Sequence, residues 1–236
     1  NITWLALVLI IFFLLFGLIS AGIIDIYYTQ ILMGIGISII MALGTNLVLG
    51  FSGQLSLGQA GFMAIGAYAT AILTTQNPTY AGFYLSIIVG MIVTATVALV
   101  VGIPTLRLKG DYLAIATLGV AEIIRKLIEN GGDLTNGSRG IMGILKYTTW
   151  PVVFVFVVLI TIFVLNYLRS PMGREVLAVR EDEIAAEAMG VNTTKIKVLT
   201  FMIAAVISSI AGSLYVGYIG TVAPKDFTIM KSIDFL

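Results

Sequence analysis

The chain reads as all-α: a polytopic integral membrane helical bundle of about seven membrane segments, one of them discontinuous or re-entrant. Three observations predict this class. Hydrophobic residues make up 59% of the 236 positions and charged residues only 11%, with a mean hydropathy of +1.06, more apolar surface than a soluble domain of this size uses. From Ile26 to Leu106 there is no Asp, Glu, Lys or Arg, a run of 81 residues. A helical crossing takes roughly 20 residues, so that run holds about three crossings and their connections. Finally, ten of the 25 charged residues (13 basic, 12 acidic) crowd into Arg169–Lys197, between two charge-free apolar runs.

Composition also narrows the chemistry. A net charge of +1 gives no electrostatic case for nucleic acid or an acidic substrate. The chain has no Cys, hence no disulfide or thiolate chemistry, and no His, the usual zinc ligand and commonest general base. Hydrolytic or redox catalysis by this chain alone is disfavoured, and neither cofactor nor metal is expected.

The apolar runs predict crossings near residues 4–24, 31–50, 57–74, 83–103, 111–128, 147–168 and 198–219. The first opens on Asn1 already inside an apolar run, so an initiator and a short leader are expected to precede it. Its length exceeds a secretory apolar core and no clean small-residue cleavage site follows, which makes it a span. At the other end an apolar run begins near Ser232–Leu236, and the chain is expected to continue. The whole of 1–236 reads as one membrane domain, truncated at both ends. Lys and Arg set the orientation. With 169–197 in the cytoplasm, Arg107, Lys109, Arg169, Arg174, Arg180, Lys195 and Lys197 lie inside, while Arg125, Lys126, Arg139, Lys146, Lys225 and Lys231 lie outside. Seven against six decides little; density decides more, because one short segment holds five of the positive charges.

Two crossings are unlike ordinary lipid-facing helices. Residues 50–68 hold five glycines and two glutamines, Gln54 and Gln59. Amide side chains and broken helix persist at membrane depth only when buried in protein or lining a wet cavity. Ser56, Ala60 and Ala64 recur every four residues, a small-residue face that lets another helix approach. Two readings stand: packing between helices, or a discontinuous element beside a solute path with Ser52, Gln54, Ser56 and Gln59 as its polar groups. In the second crossing, Gly110–Arg125, Glu122 is either an ion or proton site or the partner of Arg125 three residues on, and the pair is the simpler reading. The following Asn130–Ile141 is rich in turn residues and matches neither a calcium nor a phosphate loop.

Helix punctuation is legible in the charged insert. Ser170 is placed to cap a helix with Pro171 in its first turn and Gly190 to end it, with room for a kink or a second short helix between. Leu177, Ile184 and Ala188 fall roughly on one face. Such a segment is either a solvated amphipathic loop or a helix that docks in a groove of a cytoplasmic partner.

The stretch Arg180-Glu181-Asp182-Glu183-Ile184-Ala185-Ala186-Glu187-Ala188-Met189-Gly190 resembles the cytoplasmic loop by which ABC importer permeases engage their ATPase subunits. The usual pattern is Glu-Ala-Ala, three residues, then Gly; here Ala185, Ala186 and Gly190 are in place and Ile184 stands where the Glu belongs. Together with Ser52–Tyr68, the stretch from Leu106 to Arg125, and Leu134–Ile141, it is similar to the branched-chain amino acid ABC permease family, on the side of its larger permease subunit. The resemblance runs from about residue 43 to the end, in the family's order and spacing.

That resemblance implies a multi-pass subunit of a prokaryotic plasma (inner) membrane that pairs with a second, related permease. Two cytoplasmic ATPase subunits would bind below, and an extracytoplasmic solute-binding protein would deliver leucine, isoleucine, valine or another small aliphatic amino acid from above. Urea or short amides are the alternative cargo. The chain would not itself be an enzyme, since no Gly-rich phosphate loop with Lys and Ser or Thr occurs in it. It also assigns Arg180, Asp182, Glu183, Ala185, Ala186 and Gly190 to coupling, and leaves Ser52, Gln54, Ser56 and Gln59 as pathway candidates. A stand-alone secondary transporter or channel using Glu122 or Asp111 would instead show internal repeats, and none is evident. A scaffold with no transport role leaves the Gly/Gln-rich segment unexplained.

Overall fold

The computed structural model describes residues 2–22, 24–108 and 110–234. Asn1, Lys109 and the apolar start at 235–236 lie outside the described residues.

Every long apolar stretch is helical: α1 (Ile2–Ser20), α2 (Ile26–Asn46), α3 (Gln59–Gln76), α4 (Tyr80–Thr105), α5 (Asp111–Glu129) and α6 (Trp150–Arg169). The charged insert supplies α7 (Pro171–Glu181) and α8 (Glu183–Ala188), and α9 (Thr193–Ile219) follows. A two-residue strand β1 (Ile141–Met142) pairs antiparallel with β2 (Thr221–Val222), and α10 (Ile229–Ile233) follows. Caps sit where the sequence offers them: the Thr79 hydroxyl accepts from Gly82 N at 3.0 Å to open α4, and the Asn192 side chain accepts from Lys195 N at 2.9 Å to open α9.

Helices stand in all seven stretches predicted to cross, with ends a few residues away. By length and composition, four helices among the described residues are apolar enough to cross a membrane: Ile26–Phe51, Tyr80–Thr105, Trp150–Arg169 and Thr193–Ile219. These criteria establish four of the predicted seven and leave the other three as expectations, with Ile10–Ser20 of α1 a shorter apolar helix. Of the others, α5 carries Asp111, Glu122, Arg125, Lys126 and Glu129 in 19 residues, and α3 starts on the amide of Gln59.

α9 is the axis of the bundle. It is 72% buried over its apolar window, against 17% for α6, so α6 lies at the rim and α9 is enclosed by α2, α3 and α4. Its contact with α3 is backbone to backbone. A Cβ on Gly66 would run into the Ser209 carbonyl, and one on Gly212 into the Met63 carbonyl. With no side chain at either place the helices touch, and the Ser213 hydroxyl donates across the seam to Gly66 O at 3.1 Å.

Those pairings fix the directions. Gln59 meets Ser208 and, further along both helices, Gly66 meets Ser213, so α3 and α9 run parallel; Gly102 meets Phe201 while Gly90 meets Ser209, so α4 runs the other way. The ends of α2, α4 and α6 and the starts of α5 and α9 share one side with α7 and α8, the insert side. Arg125, Lys126, Arg139 and Lys146 fall on the opposite side with the strand pair. Lys231 does not stay with them. After β2 the chain turns back into the bundle, where the Ser232 hydroxyl accepts from Ala60 N at 3.2 Å and Lys231 Nζ sits 5.9 Å from the Tyr215 ring centre.

The insert has the second short helix. Ser170 caps α7 as predicted, accepting from Gly173 N at 3.2 Å, but α7 stops at Glu181 and the Asp182 carboxylate caps α8, accepting from Ile184 N at 2.9 Å and Ala185 N at 3.0 Å. That break resets the helical phase, and the predicted Leu177, Ile184 and Ala188 face is lost. Val176, Val179, Ala186 and Ile196 make the insert's own small core instead, with Phe51, Tyr167 and Val191 packed against it.

The α3–α9 seam sets the first prediction. Gly66→Val should destabilise the detergent-solubilised protein by about 1–3 kcal/mol, since the added side chain meets backbone that cannot step aside. Gly34→Ala in α2, where nothing lies within 4 Å, should be neutral or slightly stabilising. Thermal unfolding of the two variants side by side checks this, and equal midpoints would refute the seam.

Candidate functional site

The segment between α2 and α3 carries the polar groups singled out in the sequence. The last turn of α2 widens into a π-helical turn, Leu47–Phe51, and the chain then leaves helical geometry until Gln59. It starts beside the insert and ends where Gln59 Oε1 accepts from the Ser208 hydroxyl at 2.8 Å, near the middle of α9. From Lys197, at the lower end, to Ser208 is a climb of about 16 Å along α9. Seven residues coiled as a helix would rise only about 10 Å, so the segment makes the connection as irregular, non-helical backbone, with Gly53 in the left-handed region.

A non-helical backbone at that depth needs partners, and it finds them in the turn before it and in side chains of other helices. Gln54 N donates to Val48 O at 3.0 Å, Leu57 N to the Thr117 hydroxyl of α5 at 3.0 Å, and Ala60 N to Ser232 of α10. Thr117, Ser208 and Ser232 are therefore the residues that sequence reasoning missed. Each lies far along the chain from its partner, 60 residues for Thr117 and 149 for Ser208, and no local pattern marks it.

Ser52, Gln54, Ser56 and Gln59 are all buried, at 5% exposure or less. Their needs are only half met. Gln54 Nε2 donates to the Ser52 hydroxyl, while Gln54 Oε1 and Gln59 Nε2 are buried without a protein partner. A buried amide atom left unpaired costs about 1–3 kcal/mol, so these two, among eight such side-chain atoms in the described residues, make the segment a candidate for receiving another polar group. Ser56 makes only a long contact, accepting from Gly58 N at 3.5 Å.

The coupling candidates lie next to this segment. A cleft of about 260 Å³ is lined by Ser52, Gly53 and Gln54 on one wall and by Arg180, Glu183 and Lys197 on the other. Arg180 Nη1 donates to Gly50 O at 2.8 Å, and Lys197 Nζ pairs with Glu183 Oε1 at 2.6 Å. Arg180 and Glu183 thus bond within the chain, and Ala186 is buried in the insert's core. Asp182 and Ala185 face outward, and Gly190, at φ +87°, closes α8 with open space around it. That closure is a Schellman turn, in which Val191 N reaches Ala186 O at 3.1 Å and Gly190 N reaches Glu187 O at 2.9 Å. Beside them Ile184 and Met189 are 78% and 84% exposed, two apolar side chains at the tip of a polar insert. Their exposure follows from the break at Asp182, which the charge pattern does not reveal.

Glu122 is answered by its neighbour. Arg125 Nε donates to its Oε2 at 2.9 Å and Nη2 to its Oε1, while Glu129 takes Arg125 and Lys126 together. The pairing read from the i,i+3 spacing holds, and the group is not left unpaired as an ion site.

The family described as "Branched-chain amino acid transport system / permease component" matches residues 27–236. The chain is 36% identical over 202 residues to the high-affinity branched-chain amino acid transport system permease protein LivM of Salmonella typhimurium, covering 71% of this chain and 47% of that protein. It is 30% identical over 155 residues to the probable LivM of Methanocaldococcus jannaschii, covering 61% and 45%. A shorter match, 35% over 94 residues, covers 39% of this chain and 26% of the fructose import permease protein FrcC of Rhizobium meliloti. The chain thus spans about half the length of the LivM proteins it matches, and no solved structure matches it significantly. A match over nearly the whole chain, on a helical protein whose apolar helices can cross a membrane, places it: the chain belongs to the branched-chain amino acid transport permease family.

Proposed function

We propose that this chain is the membrane permease subunit of an ATP-driven importer for branched-chain or other small aliphatic amino acids, and that it forms half of the pathway with a related permease. Its 236 residues make one permease domain, in which the seven long helices are the membrane segments and 169–197 is the cytoplasmic coupling insert. The membrane is the plasma membrane of a prokaryote. Two ATPase subunits bind on the insert side and a solute-binding protein on the other.

The observation that carries this reading is the shared cleft at residues 52–54, 180, 183 and 197. It places the start of α8, at Glu183, beside a buried segment whose polar side chains are incompletely paired. An aliphatic amino acid suits a path of this kind, apolar in bulk with a few amides and hydroxyls for its carboxylate and ammonium. The names of the LivM relatives favour that cargo over urea or short amides. A docked helix with two exposed apolar anchors, Ile184 and Met189, fits a groove on an ATPase. Nucleotide state in the ATPases then biases the permease pair between inward-open and outward-open forms. The secondary-transporter reading loses its leading group because Glu122 is held by Arg125.

Two predictions test the two ends of this arrangement. Gly190→Trp should abolish co-purification of the ATPase in mild detergent, whereas Gly190→Asn, which tolerates a left-handed backbone, should retain it; recovery of the ATPase with both variants would refute the docking assignment. Gln59→Leu should cut uptake by about tenfold, an effect of roughly 1.4 kcal/mol, with the ATPase still bound. Its fold is spared because the Ser208 hydroxyl keeps a second acceptor, Ala204 O at 3.1 Å. Unchanged uptake of radiolabelled leucine would remove Gln59 from the pathway.

A further inference from the structure

The residues assigned to coupling do not all point at a partner. Arg180 stands at the end of α7, two residues before the Asp182 cap, and its guanidinium reaches away from α8 to the Gly50 carbonyl at 2.8 Å. Gly50 lies in the π-helical turn that ends α2. There the i→i−4 ladder is interrupted, so a carbonyl is open to a side-chain donor. Immediately beyond, Gly53 lies in the left-handed region at φ +66°, and a Cβ built on it would stand 3.1 Å from Arg180 Cγ. The arginine stem therefore lies along the first residues of the discontinuous segment. Phe51, from the same turn, packs on the core of Val176, Val179, Ala186 and Ile196. On the other flank, Glu183 and Lys197 fasten α8 to α9 at 2.6 Å.

We propose that Arg180 is a positioning residue, the tether through which displacement of the coupling insert reaches residues 50–58, and that it is not an ATPase contact. This rests on the permease reading given above. Its physical content is that α7, α8 and the π-turn form one body held by a shared core and a charge-assisted hydrogen bond. A shift of α8 then moves Gly50 and Gly53, and with them Ser52 and Gln54, whose amide oxygen is buried and unpaired. Removing the arginine leaves the Phe51 packing intact and deletes the bond that carries the motion. The guanidinium is only partly covered, with its side chain 46% exposed, and a direct partner contact is the competing assignment that the experiment has to separate.

The chain has no cysteine, so a single Ser56→Cys reports on the segment without background. Ser56 is buried at 3% exposure and does not line the cleft with Arg180. In the full chain reconstituted in nanodiscs, Arg180→Ala should raise maleimide labelling of that cysteine severalfold, because the segment opens locally more often. Arg174→Ala, which removes an exposed arginine of the same helix, should leave labelling unchanged. In the assembled importer, Arg180→Ala should keep the ATPase bound and hydrolysing while leucine uptake per ATP falls by about tenfold, within the usual range of a coupling free energy. Unchanged labelling overturns the tether, and so does loss of the ATPase from the Arg180→Ala complex. Should the unmutated protein recover no ATPase, the importer reading is what falls, and the labelling comparison still decides whether Arg180 holds the segment.

Discussion

The rest of the structure depends on the closeness of α3 to α9. Gly66 and Gly212 let the two backbones touch, and at that spacing Ser213 bonds Gly66 O and Gln59 meets Ser208. In a membrane the lipid is as apolar as the helix faces, so burying apolar surface between helices gains little. Helices are held together instead by close van der Waals contact and hydrogen bonds across the seam. α3 is thereby fixed with its first turn at mid-depth, and the chain from α2 has to climb to it outside helical geometry. The discontinuous segment is a consequence of where α3 is anchored.

Outside helical geometry, the segment has to satisfy its backbone groups from elsewhere, and it recruits Thr117 and the Val48 carbonyl, while Ser232 takes the Ala60 N–H of the first turn of α3. This links α2, α3, α5 and α10 around seven residues. A polar segment held this way can keep unpaired side-chain atoms in the interior, because the helices around it are already fixed by their own packing. Gln54 Oε1 and Gln59 Nε2 are such atoms. On the proposed reading they serve a solute that passes in contact with them, and the packing and functional readings of the small-residue face describe the same construction.

At the insert side, the division of labour follows from the break at Asp182. α7 and the buried face of α8 belong to the permease: Val176, Val179 and Ala186 form a core with Ile196, and Glu183 is bonded to Lys197. The other face of α8 is free, with Ile184 and Met189 in the open and Gly190 turning the chain back toward α9. A single uninterrupted helix from Ser170 to Gly190 would have carried the phase through and placed a different set of residues on the outside.

The sequence by itself determined the helical membrane class, the places of the seven long helices, the caps at Ser170 and Gly190, the Glu122–Arg125 pair and the family, because each rests on local composition, short spacing or a contiguous motif. Hydropathy over twenty residues and a hydroxyl before a helix act over a few residues, so they can be read in a line. It could not give the depth at which α3 begins, the partners of the non-helical segment, the return of Lys231 into the bundle, or the union of the Gln54 and Arg180 regions in one cleft. Those follow from contacts between residues 60 to 172 apart in the chain, made possible by a backbone approach at two glycines whose significance appears only when both helices are present. Tertiary packing decided the site because hydrogen-bond satisfaction inside a membrane is a property of the whole bundle, which no single segment can meet alone.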